Sequence, residues 1–174
     1  VIAGQGTVGL EAASQVKAMV QKPDILLCPA SGGGLLAGIG LAFEAHFPDT
    51  ALYVVEPDGF TDHADSLKAG RPVARAPGPA SLCDALMAPK PGDLTFAINA
   101  SRLAGALSVS DDQVLAAMAF AFRHLKLVVE PGGAVGLAAL LSGQLDLAGR
   151  SALVIASGGN VDPETFAKSL KFPV

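Results

Sequence analysis

Short apolar runs alternate with helix-like segments along this 174-residue chain, and this alternation restricts the possible fold more than any other feature. Residues 25–28, 51–55 and 152–156 are continuous apolar runs, which are typical of strands buried on both faces of a parallel sheet. Helical segments lie between them, among them residues 35–46 and 134–141. We therefore predict an α/β fold of three layers, in which helices cover both faces of a mainly parallel, twisted sheet.

Polar or glycine-rich loops follow the three apolar runs. Residues 31–34 (Ser-Gly-Gly-Gly) come after the first run, a turn that begins at Glu56 follows the second, and residues 157–160 (Ser-Gly-Gly-Asn) follow the third. Ligands of parallel α/β sheets bind beyond the carboxyl ends of the strands. We therefore expect the functional site at these loops.

Local signals predict several helix and strand ends. Thr7 is expected to cap a helix over residues 8–20, and Ser110 is expected to cap the helix that follows it. Residues 97–105 are predicted to form a helix, and residues 106–110 a short strand.

The glycine run at residues 31–34 has the order that a phosphate-binding loop needs: a strand, the glycines, then a helix. Backbone N–H groups at a helix N-terminus bind phosphate well, and glycine lets the backbone approach the ligand closely. The run is not a Walker A motif, because no Gly-Lys-Ser/Thr follows it, and it departs from the Gly-x-Gly-x-x-Gly pattern of dinucleotide-binding folds. The alternative is a tight strand-to-helix turn that binds no ligand.

Ser157 is a second candidate binding residue, because it also follows a buried run. Its hydroxyl can form a hydrogen bond with a ring nitrogen. An aspartate in that role would keep a pyridinium charged, whereas a neutral hydroxyl leaves the nitrogen unprotonated and the electron sink weaker. A helix cap or a turn is the alternative role for this serine.

Composition and charge exclude several classes of function. The net charge is −4 and no basic patch is present, so we expect no nucleic-acid partner. No apolar run reaches the roughly 18–20 residues of a membrane span, and no secretory signal is visible, so we expect no membrane partner and a cytoplasmic location. Two cysteines, Cys28 and Cys83, are too few for a disulfide framework, and Cys28 is expected in the core.

Together the motifs resemble one family, the fold type II (tryptophan synthase β-like) pyridoxal phosphate (PLP) enzymes, in the threonine/serine dehydratase–serine racemase branch. The matching stretches, in the family's order, are residues 1–7 (VIAGQGT), 29–38 (PASGGGLLAG), 55–57 (VEP), 130–134 (EPGGA) and 157–162 (SGGNVD). The family usually has four glycines in the phosphate loop, and Ser31 takes the place of the first. The resemblance implies the large cofactor domain of these enzymes, here incomplete.

The resemblance also assigns cofactor-binding roles to individual residues. Ser157 would face the pyridine nitrogen of PLP, and Glu130 would lie near the cofactor ring or the substrate. The backbone donors to the cofactor phosphate would be Ser31, Gly32, Gly33, Gly34 and Leu35.

A divalent-cation site in the turn after the second run is a further implication of the resemblance. Glu56, the backbone carbonyl of Phe60 and Asp62 match its ligands, and such oxygen ligands suit Mg²⁺ or Ca²⁺. A solvated acidic turn is the alternative. These cations prefer oxygen to nitrogen, so the histidine next to this turn is not expected among the ligands. Surface or helix-capping roles are expected for all the histidines: His46, His63 and His124.

The chemistry of this family needs a lysine that forms a Schiff base with the cofactor. The family's lysine motif, which resembles Ser-Phe-Lys-x-Arg-Gly, does not occur in residues 1–174. The resemblance therefore implies that residues 1–174 are the carboxyl-terminal part of the large PLP-binding domain. The N-terminal half, with the catalytic lysine and the small domain, would be missing, and the chain alone is expected to be inactive.

For the whole enzyme, the resemblance implies a threonine/serine dehydratase that acts as a homodimer or a higher oligomer. Such an enzyme eliminates water from threonine or serine and releases a 2-oxo acid and ammonium. Two alternatives stay open: a serine racemase or related PLP lyase, and a noncatalytic module that binds a phosphate ligand. By resemblance, Ser157 and the Glu56/Asp62 pair favour the dehydratase–racemase branch over enzymes of β-replacement.

Overall fold

Four parallel strands form one sheet in the part of the chain that the structure, a computed structural model, describes: residues 1–19, 22–76, 78 and 80–173. The strands are β1 (Ile25–Pro29), β2 (Ala51–Pro57), β3 (Leu103–Val109) and β4 (Ala152–Val154). Their order across the sheet is β3-β2-β1-β4, and every neighbouring pair is parallel. The prediction of a mainly parallel sheet is confirmed.

Helices connect the strands. They are α1 (Ile2–Lys17), α2 (Gly34–His46), α3 (Asp62–Ala69), α4 (Asp93–Asn99), α5 (Asp111–Phe120), α6 (Pro131–Leu141) and α7 (Pro163–Ser169). A 3₁₀ turn at Asp84–Leu86 precedes α4, and α5 continues into a π-helical turn at Ala121–Leu125. Among the described residues, none of the helices has both the length and the apolar character that a membrane crossing requires.

Alternate side chains of β1 pack into two separate cores. Ile25 and Leu27 pack with residues of α5 and α6 on one face of the sheet, whereas Leu26 and Cys28 pack with residues of α1 and α2 on the other. All four side chains are fully buried. The strand is apolar throughout because helices cover both of its faces. The three-layer α/β prediction and the core position of Cys28 are thus confirmed.

Helix α1 begins at Ile2, so the prediction that Thr7 caps its N-terminus is wrong. Thr7 lies inside the helix, where its hydroxyl donates to a carbonyl one turn earlier. The glycines of this segment look like helix breakers, but α1 packs so closely on α2 that a Cβ at Gly38 would lie 2.5 Å from the backbone nitrogen of Gly6. Tertiary packing therefore overrides the low helix propensity. The predicted end at residue 20 lies outside the described residues.

The helix predicted over residues 97–105 is wrong, because α4 ends and β3 begins within this range. Gly105 pairs with Tyr53 of β2, and a Cβ at Gly105 would stand 3.0 Å from the tyrosine ring. Pairing with β2 overrides the helix propensity of this segment. Ser110 caps α5 as predicted, and Gln113 completes a capping box with it.

Candidate functional site

A cleft of about 550 Å³ opens at the carboxyl ends of β1 and β4. The loops that follow these two strands both reach it, through residues 31–34, called the glycine loop below, and through Ser157. Gln5 of α1, Leu86 of the 3₁₀ turn and Thr95 of α4 form part of its walls. The fold thus brings two of the three loops singled out in the sequence into one cleft.

The backbone N–H groups of the glycine loop and of Leu35 are available to a ligand. None of them donates a hydrogen bond to another protein group in the described part of the chain. Gly34 and Leu35 are the first residues of α2, where N–H groups lack intrahelical partners and the helix dipole adds partial positive charge. An anion such as phosphate suits this arrangement.

Side chains of α3 and α4 hydrogen-bond the carbonyl groups of the glycine loop. The contacts are His63 Nε2 to Ser31 O (2.8 Å), Thr95 Oγ1 to Gly32 O (2.5 Å) and Asn99 Nδ2 to Gly33 O (3.3 Å). The sequence analysis did not single out Thr95 or Asn99, since each is a single polar residue outside any motif, and it expected a different role for His63. Their proximity to the loop arises only in the folded chain, where α4 packs against α2 and α3 packs against β3.

Gly33 shows how closely these side chains approach the loop. Its φ angle is +85°, a left-handed conformation that favours glycine. A Cβ at this position would lie 2.9 Å from His63 Cε1, and 3.1 Å from both Asn99 Nδ2 and Thr95 Oγ1. Conformation and space therefore both require glycine here.

His63 is fully buried, so the prediction of a surface or capping role for this residue is wrong. Its Nε2 carries the hydrogen, because the carbonyl oxygen of Ser31 can only accept. Burial lowers the pKa of His63, and the hydrogen bond to Ser31 partly opposes this effect. The neutral imidazole is thus the favoured form. The other two histidines, His46 and His124, are exposed, as predicted.

Ser157 is exposed at the cleft, and Glu130 holds the loop that carries it. The backbone N–H of Glu130, which precedes α6, donates to the carbonyl of Gly158 at 3.0 Å. This links the start of α6 to the loop after β4. The contact of Glu130 with a cofactor ring or substrate stays a prediction, as does the contact of Ser157 with a ring nitrogen.

Glu56 and Asp62 are both buried, so the alternative of a solvated acidic turn is wrong. The two carboxylate oxygens of Glu56 accept hydrogen bonds from the backbone N–H groups of His63 (2.7 Å) and Ala64 (3.0 Å), at the start of α3. Burial raises the pKa of Glu56 to about 8, although these two hydrogen bonds act in the opposite direction. The negative charges of Asp62 and Asp65 raise the pKa of Glu56 further.

Asp62 is an orphaned carboxylate. Neither of its carboxylate oxygens has a hydrogen-bond partner among the described residues, although Asp62 is only 1% exposed. Burial raises its pKa to about 6. An unpartnered buried carboxylate is costly, and a cation beside it would remove that cost. The carboxylates of Glu56 and Asp62 therefore suit a hard divalent cation, which prefers oxygen, and the part of the Phe60 carbonyl in such a site stays a prediction.

No lysine lines the cleft in the described ranges of the chain. The described walls of the cleft therefore do not supply the Schiff-base lysine that the family resemblance calls for.

Comparisons with known proteins relate almost the whole chain to one family. A family model described as pyridoxal-phosphate dependent enzyme matches residues 1–158. The L-threo-3-hydroxyaspartate ammonia-lyase of Pseudomonas sp is 37% identical over 171 residues, which cover 98% of this chain and 52% of that protein. The chain spans about half the length, or less, of the curated relatives it matches.

Solved structures match the fold as well. A threonine deaminase from T.th. superposes with a TM-score of 0.87 at 40% identity, covering 92% of this chain and 57% of that one. Maize serine racemase superposes with a TM-score of 0.85 at 38% identity, covering 98% of this chain and 51% of that one. The α/β architecture is therefore that of a domain found in these enzymes.

Proposed function

Because this chain belongs to the pyridoxal-phosphate dependent enzymes, in the branch of threonine dehydratases and serine racemases, we propose that it is the phosphate-binding part of a lyase for β-hydroxy amino acids. One observation carries this proposal: the free N–H groups of the glycine loop and the hydroxyl of Ser157 line the same cleft. The first suit a phosphate, and the second suits the ring nitrogen of the same cofactor.

The residues at the cleft fit PLP. The glycine loop and the N-terminus of α2 would hold its phosphate, because they offer N–H donors and a favourable dipole. Ser157 would orient the ring and leave its nitrogen unprotonated, because a neutral hydroxyl does not stabilise a pyridinium charge. When bound, the cofactor supplies an electron sink for the Cα carbanion of an amino acid.

The substrate class is proposed from the relatives. Their names point to L-threo-3-hydroxyaspartate, threonine and serine, which all carry a hydroxyl at Cβ. The proposed reaction removes that hydroxyl as water and releases a 2-oxo acid and ammonium. Racemisation of serine is the second candidate, favoured by the 38% identity to maize serine racemase.

We propose that the Schiff-base lysine comes from a segment outside residues 1–174. The absence of lysine from the described cleft walls supports this. In the described part of the chain, β4 lies at one edge of the sheet and its residues are only half-buried, which leaves room for a further strand beside it. On this proposal the chain is the carboxyl-terminal part of the large domain and has no turnover by itself.

The test compares the full-length protein with the isolated chain. Both are incubated with PLP and with L-threonine, L-serine or L-threo-3-hydroxyaspartate, and ammonium, 2-oxo acid and D-serine are measured. We expect equal amounts of ammonium and 2-oxo acid from at least one substrate with the full-length protein, and none with the isolated chain. D-serine without 2-oxo acid would favour the racemase. No product at all would favour a noncatalytic phosphate-binding module, and turnover by the isolated chain would contradict the placement of the lysine.

A divalent cation is proposed at Glu56, Asp62 and the carbonyl of Phe60, supported by the orphaned carboxylate of Asp62. Mg²⁺ or Ca²⁺ at 100 times its Kd would stabilise the protein by about 2.7 kcal/mol. Thermal unfolding with and without each cation measures this effect. Asp62→Asn should abolish it, whereas Asp65→Asn should only weaken it, because Asp65 is a half-exposed acid of the same helix whose charge acts on Glu56 and Asp62 from outside the site. An equal response of wild type and Asp62→Asn would contradict the site.

A further inference from the structure

The side chains of His63, Thr95 and Asn99 bind three consecutive carbonyl groups of the glycine loop. We propose that these side chains form a positioning layer, which holds the loop in the conformation whose N–H groups converge on one phosphate. The layer thereby sets the affinity of the loop for that group. This inference rests on the proposed function only for the identity of the phosphate ligand.

Peptide geometry connects the carbonyl contacts to the N–H groups. A trans peptide unit points its C=O and its N–H in opposite directions, and none of the described peptide bonds is cis. The contact of Ser31 O with His63 therefore turns the N–H of Gly32 the other way. The bonds to the next two carbonyls act in the same way on the N–H groups of Gly33 and Gly34. Three carbonyl contacts thus leave three N–H groups directed away from the positioning layer.

The glycine loop needs this support because glycine samples more backbone conformations than any other residue. A Cβ at Gly32 would meet no atom of the described residues within 4 Å, so on that side no packed group holds this part of the loop. Without the layer, only a fraction of the molecules would hold the binding conformation. The apparent Kd rises by the inverse of that fraction.

The positioning layer is itself anchored. The backbone N–H of His63 donates to Glu56 Oε1 at 2.7 Å, which fixes the first turn of α3. Thr95 Oγ1 also lies 2.9 Å from the carbonyl of Gly92, and the N–H of Gly92 donates to the same loop carbonyl that Thr95 contacts, at 3.2 Å. His63 and Asn99 are fully buried. The donors therefore have little freedom to follow a displaced loop.

The first test is a pair of substitutions at Thr95 in the full-length protein. Thr95→Val keeps the shape of the side chain and removes its donor, whereas Thr95→Ser keeps the hydroxyl. The Kd values for PLP and for pyridoxal, which lacks the phosphate, are measured for each. We expect Thr95→Val to weaken PLP binding roughly three- to tenfold and to leave pyridoxal binding unchanged. Thr95→Ser should bind PLP within about twofold of wild type, because its hydroxyl still donates to the loop.

A second pair at His63 tests the layer independently. Glutamine can place its amide N–H near the position of Nε2, so His63→Gln should retain much of the PLP affinity. Phenylalanine fills a similar space without a donor, so His63→Phe should lose PLP affinity and keep pyridoxal affinity. The circular-dichroism melting curve of each variant reports whether the fold is intact.

The outcomes separate the two proposals. Failure of the wild-type protein to bind PLP would contradict the proposed function. The positioning layer would then be tested with the same variants and inorganic phosphate, whose binding is measured by ³¹P line broadening. Affinities of Thr95→Val and His63→Phe equal to wild type would overturn the positioning layer. So would a proportional loss of PLP and pyridoxal affinity, because such a loss reports general damage to the cleft.

Discussion

A Cβ atom at Gly158 would lie 2.5 Å from Oε1 of Glu130, so the carboxylate before α6 occupies the space beside the loop that carries Ser157. The other oxygen, Oε2, accepts a hydrogen bond of 3.0 Å from the backbone N–H of Asn160. The side chain of Glu130 therefore leaves no space for a Cβ at Gly158 and also accepts a hydrogen bond from the backbone of Asn160. It fixes the loop whose serine faces the cleft.

Glu130→Leu should loosen the loop of residues 157–160, because it removes the acceptor for the N–H of Asn160. Glu130→Gln keeps an acceptor oxygen at that place and is the matched control. Hydrogen–deuterium exchange of the Asn160 amide measures the effect. We expect exchange about tenfold faster in Glu130→Leu, which corresponds to about 1.4 kcal/mol, and nearly unchanged in Glu130→Gln. Equal protection in both variants would show that the loop is held by other contacts.

Gly33→Ala should cost more stability than Gly70→Ala. Both glycines have positive φ angles, +85° and +65°, where alanine costs about 1–2 kcal/mol. At Gly70 the added Cβ meets no atom of the described part of the chain within 4 Å, whereas at Gly33 it would stand 2.9 Å from the ring of His63. We expect Gly33→Ala to lower the free energy of unfolding by about 1–3 kcal/mol more than Gly70→Ala. Urea denaturation measures the free energy of unfolding of both variants. Equal losses would mean that the positioning layer moves aside to accommodate the added methyl group at Gly33.

Asp24 should make stability depend on pH in the acid range. The backbone N–H and the hydroxyl of Ser151 donate to Oδ2 of Asp24 at 2.7 and 2.9 Å, and these bonds lower its pKa below the ordinary value of 3.8. Since the folded-state pKa is the lower one, the stabilisation is complete above the ordinary pKa and is lost as the pH falls through the folded-state value.

Asp24→Asn removes this titration, so its stability should decrease less steeply than that of wild type as the pH falls from about 5 to about 2. Urea denaturation at a series of pH values measures the two slopes. Ser151→Ala keeps the backbone donor and removes the hydroxyl, so its slope should lie between the two. If the free energy of unfolding changes with pH equally in wild type and Asp24→Asn, the Asp24 carboxylate does not contribute to the pH dependence of stability.

The sheet and the glycine loop could be predicted from the sequence because their signals are local. Strand β1 is apolar at successive positions because both of its faces are covered, and a continuous apolar run shows this directly. The helix predicted over residues 35–46 is confirmed, and it begins one residue earlier, at Gly34. The predicted start of strand β3 is too late, because its first residues suit a helix and only pairing with β2 makes them a strand.

The sequence analysis did not predict helix α3, because the buried face of this helix is polar. Its buried residues are Asp62, His63 and Ser66, so it lacks the apolar periodicity on which helix prediction rests. A weaker signal was present: acidic residues in the first turn, Lys68 in the last turn and Gly70 just after it. The wrong role for His63 follows from the missed helix, since only this helix carries its ring to the glycine loop.

Both proposals require that the full-length protein binds PLP with the phosphate in the glycine loop. The most direct measurement is the visible absorbance of the purified protein after addition of PLP, before and after borohydride, in wild type and in Gly33→Ala. We expect a visible band that borohydride abolishes in wild type, and a PLP Kd at least roughly tenfold higher in Gly33→Ala. A wild-type protein without the band would contradict PLP binding, and a Gly33→Ala variant that binds PLP as tightly as wild type would contradict the placement of the phosphate in the glycine loop.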